Sequence, residues 1–242
     1  MHVVPNKSKG GMRPTRISDA RVLGLLPSVT TILKVAAKPQ LDQWKERQVA
    51  KAALEYVRNP TEEITDELLD KIRENAFKQV SEAADLGTNV HAALEAHFSD
   101  LPYDPAYDLY VKAVDQKFQD EGIHVIQREI TLVNKEYGFA GKADLVFDSP
   151  KGLGIGDHKV RRSKPQYAME PYDDQSTQCA AYCKTHFGDV AGRCAFNCYI
   201  SSTEPGRVEV CWYDDAKLSR EWEVFKAYCT IWQNRNSYNP CQ

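Results

Sequence analysis

The sequence contains no apolar run near the roughly 20 residues that a membrane-spanning helix needs. Its opening stretch, MHVVPNKSKGGMRPTR, also lacks the apolar centre of a secretory signal. Together these absences lead us to expect a soluble, cytoplasmic protein with no membrane partner. An excess of one charge sign is missing too, since 31 basic and 34 acidic residues leave a formal charge of −3. No global field advertises a polyanion, so any such partner has to be met by a local basic patch. Cysteine is absent before Cys179, and all seven cysteines follow, at 179, 183, 194, 198, 211, 229 and 241. An odd number without an export signal argues against a disulfide framework. The C-x-x-x-C spacing falls on a helical pattern at 179–183 and a strand pattern at 194–198. Neither is the tight knuckle of a zinc site, so buried reduced thiols are expected, with a metal cluster as the alternative.

What is present suffices for one large domain: 242 residues, 42% of them hydrophobic. Residues 1–20 are rich in Gly, Pro, Lys and Arg and read as a flexible basic arm. Residues 21–242 read as a single domain, mainly helical over 21–122 and α/β over 123–242. Ser28 can cap a short helix, SVTTILKVAA. Pro39 suits the first turn of QLDQWKERQVAKAALEYVRN, where its missing N–H costs nothing. Thr65 opens a long amphipathic run to about His97, with a kink or restart expected at Gly87. DPAYDLYVKAVDQKFQDEG is a further helix that stops at Gly122.

The apolar period then shortens to 2. HVIQREITLVN alternates, placing Ile126, Ile130 and Leu132 on one face and Glu129 on the other. FAGKADLVFD and LGIGDHKV follow as strands, then DDQSTQCAAYCKTHFG as a helix. RCAFNCYISS and RVEVCWYD make a hairpin, and DAKLSREWEVFKAYCTIWQN closes as a helix. This order specifies a mixed sheet flanked by helices.

Three charged residues interrupt the apolar strands: Asp144, Asp157 and Lys159. DSPKGL is a turn signal, and pairing Asp148 with Leu153 sets Asp144 opposite Asp157. Opposed side chains on one face stand about 4.5–5.5 Å apart at Cβ, and Lys159 shares the face of Asp157. Glu129 can join them if its strand lies beside 139–148. Buried carboxylates repel unless something positive sits between them. Lys159 alone could serve, as a structural salt bridge; a divalent cation such as Mg²⁺, which favours oxygen ligands, is the better candidate.

Glu129, GKADLV with Asp144, and GDHKV with Asp157 and Lys159 resemble the E…D…D-x-K core of the PD-(D/E)XK nucleases. GTNVHAALE with His91, and QCAAY with Gln178 and Tyr182, are similar to flanking motifs of the RecB-like exonuclease branch. LPSVTTIL is similar to the opening of phage-encoded exonucleases and of mitochondrial genome maintenance exonuclease. The resemblance spans about residues 26–185. It implies a restriction-endonuclease-like core and metal-dependent hydrolysis of DNA from free ends, with single strands preferred, in replication or recombination. A structure-specific endonuclease and a non-catalytic DNA-binding protein of the same fold are the competing readings.

The resemblance also implies roles. Asp144 and Asp157 would hold Mg²⁺, or Mn²⁺ in its place, helped by Glu129, the backbone carbonyl of His158 and the imidazole of His91. Lys159 would orient or deprotonate the attacking water. Gln178 and Tyr182 would face the site or the DNA backbone, and Arg161, Arg162 and Lys164 would contact phosphates. A single-strand-binding or annealing protein is a further partner. Iron–sulfur members of the family carry one cysteine well upstream, and this chain has none before Cys179, so no iron–sulfur cluster is expected.

Overall fold

Period-2 segments of Val, Ile, Phe and Tyr pair into a five-stranded mixed sheet, the centre of the fold. The structure, a computed structural model, describes residues 3–5, 12–56 and 64–241, without the side chains of 3–14, 40, 79–83 and 173. In chain order come β1 (Val3–Pro5), β2 (Met12–Pro14), α1 (Ile17–Leu23), α2 (Val29–Leu33), α3 (Pro39–Glu55), α4 (Asp66–His97) and a 3-10 turn, Pro105–Tyr107. They are followed by α5 (Asp108–Glu121), β3 (His124–Asn134), β4 (Phe139–Asp148), β5 (Gly154–Arg161), α6 (Asp173–Phe187), β6 (Cys194–Ser201), β7 (Val208–Tyr213) and α7 (Asp215–Asn236). The large sheet runs β3-β4-β5-β6-β7, antiparallel except for β5 and β6, which are parallel and joined through α6.

Each face of this sheet is buried under helices, which explains why its central strands are apolar on both sides. On one side Ile155, Ala195 and Val146 pack with residues of α2, α6 and α7, including Ile32, Ala180, Leu218 and Phe225. On the other, Leu145, Phe147, Phe196 and Cys198 pack with Val90 and Leu94 of α4 and with Val111, Val114 and Phe118 of α5. Cysteines 179, 183 and 229 belong to the first layer, and Cys194 and Cys198 to the second. The C-x-x-x-C pairs therefore sit on opposite faces of the sheet.

Several helix boundaries follow from local chemistry. The Ser28 hydroxyl accepts from Thr31 N–H at 3.1 Å and caps α2, Thr65 caps α4 through Leu68 N–H, and Gly122 ends α5 in the left-handed conformation at φ 65°. The end of the helix expected after Pro39, residues 57–59, lies outside the described residues.

Four features differ from the sequence-based expectation. First, residues 3–5 and 12–14 of the basic arm pair as a two-stranded ribbon, Val3 opposite Pro14, and residues 17–20 open the helix α1. Second, α4 runs unbroken through Gly87, which packs against β5: a Cβ there would lie 3.8 Å from that of Val160. Third, a bulge between Val125 and Gln127 shifts the phase of β3. Val125 packs against the α4/α5 layer, while Ile126 is half exposed instead of sharing a face with Ile130 and Leu132. A single inserted residue reverses every side chain before it. Fourth, the alternation breaks at Asp144: Ala143 belongs to the α2/α6/α7 layer and Leu145, two residues on, to the opposite one.

Candidate active site

The β4–β5 ladder pairs Phe147 with Gly154, Val146 with Ile155 and Leu145 with Gly156, the register expected from the turn. Pairing stops there, one step short of Asp144 and Asp157. Beyond that point a side chain takes over from the backbone, and the Asp144 carboxylate accepts the His158 N–H at 2.7 Å. Asp144 is thus seated at the opening between the two strands.

Across β3 the register sets Glu129 opposite Asp144, between the pairs Arg128–Leu145 and Ile130–Ala143. Glu129 has φ 49°, the left-handed region that side chains other than glycine seldom adopt. The unusual backbone and the break in alternation at Asp144 therefore face each other across one rung of the sheet. As a result Asp144 reaches α4, with Oδ2 3.6 Å from His91 Nδ1, and lies 3.7 Å from His158 Nδ1. The ligand atoms of His91, Asp144 and His158 all fall within 4.8 Å of one another.

His158 is turned by strand parity toward α4 and α5, away from Asp157 and Lys159. Its ring stacks on Phe118 at 6.0 Å and meets His91 edge-on at 5.6 Å. Its Nε2 is buried without a hydrogen-bond partner among the described residues. Burial, reinforced by His91, lowers its pKa from 6.5 to about 3. The imidazole stays neutral in the fold, whereas in the unfolded chain it takes a proton below about pH 6.5. Folding stability is therefore lost as pH falls from 6.5 toward 3. Without divalent cations, we expect a loss of about 2 kcal/mol between pH 7 and pH 5 from this group alone. Urea unfolding of wild type and His158→Phe at both pH values checks it, since the variant should lose about 2 kcal/mol less.

Asp157 and Lys159 lie on the α6 side of the sheet. Lys159 Nζ is 2.6 Å from Asp157 Oδ2 and donates to Gln178 Oε1 at 3.3 Å. Gln178 in turn donates to the Tyr182 hydroxyl at 3.1 Å. The Tyr182 ring lies on the backbone of β4 at Gly141, where a Cβ would come within 2.5 Å of the ring, so only glycine admits it there. Burial pushes the Tyr182 phenol up to about 12. Burial also raises Asp144 and Asp157, opposed chiefly by His91 at the first and Lys159 at the second. For Lys159 burial favours the neutral amine, but the adjacent Asp157 carboxylate outweighs it and holds the ammonium well above the ordinary lysine range.

The structure thus brings together His91, Asp144, His158, Asp157, Lys159, Gln178 and Tyr182. Glu129 stands at the rim, paired with Lys142, and neither it nor Asp157 is part of the His91–Asp144–His158 trio. Arg161 is turned into the protein: it stacks on Tyr172 at 4.6 Å and donates to the Glu170 carbonyl, tying down the loop that leads to α6. Arg162 and Lys164 of that loop are exposed. Two participants escaped sequence reasoning, Asn197 and Tyr213. Asn197 is fully buried and donates to Asp157 Oδ2 at 2.8 Å, and Tyr213 donates to Asn197 Oδ1 at 2.7 Å. Asn197 interrupts the apolar run CAFNCYI as Asp157 does GIGDHKV, and that interruption was the available signal.

Fold and site define an α/β protein whose mixed sheet opens between two strands at a cluster of carboxylates, imidazoles and one half-buried lysine. No protein-family model matches the chain, and no curated protein sequence does. Solved structures similar to it include a candidate exonuclease from Eubacterium rectale, at 13% identity and TM-score 0.41, covering 62% of this chain and 68% of that one. An alkaline exonuclease from Laribacter hongkongensis is similar over 91% of this chain and 97% of its own, at 13% identity and TM-score 0.38. The same exonuclease with dAMP bound gives 12% identity and TM-score 0.39, over 91% of this chain and 94% of that one. Likeness this loose leaves the site's own geometry to carry any functional reading.

Proposed function

We propose that the chain is a divalent-cation-dependent DNA exonuclease of the PD-(D/E)XK type, hydrolysing phosphodiesters from free, preferably single-stranded ends. The observation that carries this reading is the convergence of His91, Asp144 and His158 beside the Asp157–Lys159 pair. The donor set fits a divalent cation: two carboxylates that burial holds above their usual pKa range, beside the imidazoles of His91 and His158. Two imidazoles suit Mn²⁺ better than Mg²⁺, which prefers oxygen. His91, Asp144 and His158 would hold the ion, with Asp157 and Glu129 completing its surroundings. When bound, such an ion supplies a water nucleophile near neutral pH and charge stabilisation on phosphoryl oxygens.

The chain's own groups do the rest. Lys159, whose ammonium is paired with Asp157, orients or helps deprotonate the attacking water and balances the charge that grows on the phosphate. Gln178 shares the aiming of its ammonium with Asp157. Arg162 and Lys164, exposed on the loop after β5, would meet backbone phosphates, a contact that carries no base information and weakens with salt. Lys142 would add to them from the rim.

The test is purified protein with Mn²⁺ or Mg²⁺ on linear, end-labelled single- and double-stranded DNA, alongside covalently closed circular DNA. The expected result is cation-dependent loss of linear substrate with intact circles. Cutting of closed circles would overturn the exonuclease reading, and inert linear DNA would overturn the nuclease one.

A further inference from the structure

Asn197 is the residue hardest to explain as mere packing. It lies in the centre of β6, directly beside Asp157 in the parallel β5–β6 pair, and its side chain is fully buried on the α6 side of the sheet. A buried amide is costly unless both its ends are hydrogen-bonded, and here both are. An ionised carboxylate only accepts, so Asp157 settles which way the amide faces: Nδ2 is toward Asp157, and Oδ1 accepts from the Tyr213 hydroxyl. Lys159 and Asn197 both reach the same carboxylate oxygen, Oδ2. Among the described residues no hydrogen bond reaches Oδ1 of Asp157.

We infer that Asn197 and Tyr213 are positioning residues, a two-step relay that clamps Asp157 by Oδ2 so that Oδ1 is presented to the bound cation. This rests on the cation-dependent site proposed above. Without the Tyr213 hydroxyl, Oδ1 is left buried without a donor and the amide is held at its Asp157 end alone. Burial keeps the Tyr213 phenol far above its ordinary pKa, so it remains a donor throughout the working pH range.

The experiment measures Mn²⁺ binding by calorimetry, without DNA, for wild type, Tyr213→Phe and Asn197→Leu. Tyr213→Phe removes a single oxygen and is the variant that decides if Asn197→Leu fails to fold. Tyr213→Phe should bind Mn²⁺ about 10-fold more weakly and Asn197→Leu up to about 100-fold, the range for residues that orient metal ligands. Melting curves in EDTA accompany the titrations, because a purely structural role would lower the midpoint and leave Mn²⁺ affinity unchanged. A Tyr213→Phe affinity within about twofold of wild type, well short of the orienting effect, would overturn the relay. Cleavage assays on the same preparations keep the two proposals apart. Wild type that binds Mn²⁺ but leaves DNA intact would sink the nuclease reading, while the affinity comparison would still judge the relay.

Discussion

Asp144→Asn is expected to lower cleavage of linear DNA by about 10³-fold or more, and Lys159→Ala by at least about 10²-fold, comparable to removing a group that stabilises transition-state charge. DNA binding should survive both changes, because phosphate contacts from exposed basic residues carry most of it. The two variants should part company in stability. Burial raises the Asp144 pKa, so its charge is held in the fold at a cost. A neutral amide still accepts the His158 N–H through its oxygen, so Asp144→Asn should melt no lower than wild type in EDTA, and higher as pH rises above the ordinary aspartate range. Lys159→Ala does the reverse. It strips Asp157 of its cation, and breaking a buried pair typically costs about 3–5 kcal/mol unless the orphaned acid takes up a proton. Single-turnover cleavage and thermal melts of the same preparations check both halves. Retained full activity in either variant would refute the assignment of the site.

Phe196→Ala should lower stability by about 3–5 kcal/mol, as for other fully buried aromatics. Phe196 is fully buried on β6 and touches Phe147 at 4.7 Å, Trp212 at 5.2 Å and Phe118 at 5.5 Å. Gly156 leaves room for it: a Cβ there would lie 2.6 Å from the Phe196 ring and 2.5 Å from Leu145. The same aromatic stack ends on His158 through Phe118, so the cavity would also loosen the imidazole beside Asp144. Urea unfolding should show a lower midpoint with an unchanged slope. A loss below about 1 kcal/mol would mean that the layer collapses to fill the cavity.

Much of this architecture was legible from periodicity. The five strands of the large sheet and the helices α4 to α7 fall where the apolar period dictates, and Ser28, Thr65 and Gly122 mark boundaries by local hydrogen bonding and φ. The β4–β5 register was legible too, because DSPKGL admits few turns and a one-residue slip would bury polar side chains. Ile126 was misplaced because a bulge leaves no mark in the alternation of an exposed edge strand. Gly87 was overread: glycine weakens a helix by only about 1 kcal/mol, and Leu86 and Val90 on either side of it pack against the sheet.

The order of elements, the turn between β4 and β5, and the presence of Asp144, Asp157, Lys159 and His91 within apolar segments follow from the chain's own pattern, since periodicity and turn chemistry are local. Which of those groups meet was decided only by the fold. The left-handed backbone at Glu129, the broken alternation at Asp144 and the opening of the β4–β5 ladder turn one carboxylate toward α4 while its opposite number is clamped from β6. Contacts between strands and helices distant in sequence create that arrangement, and no periodicity within a single segment encodes them.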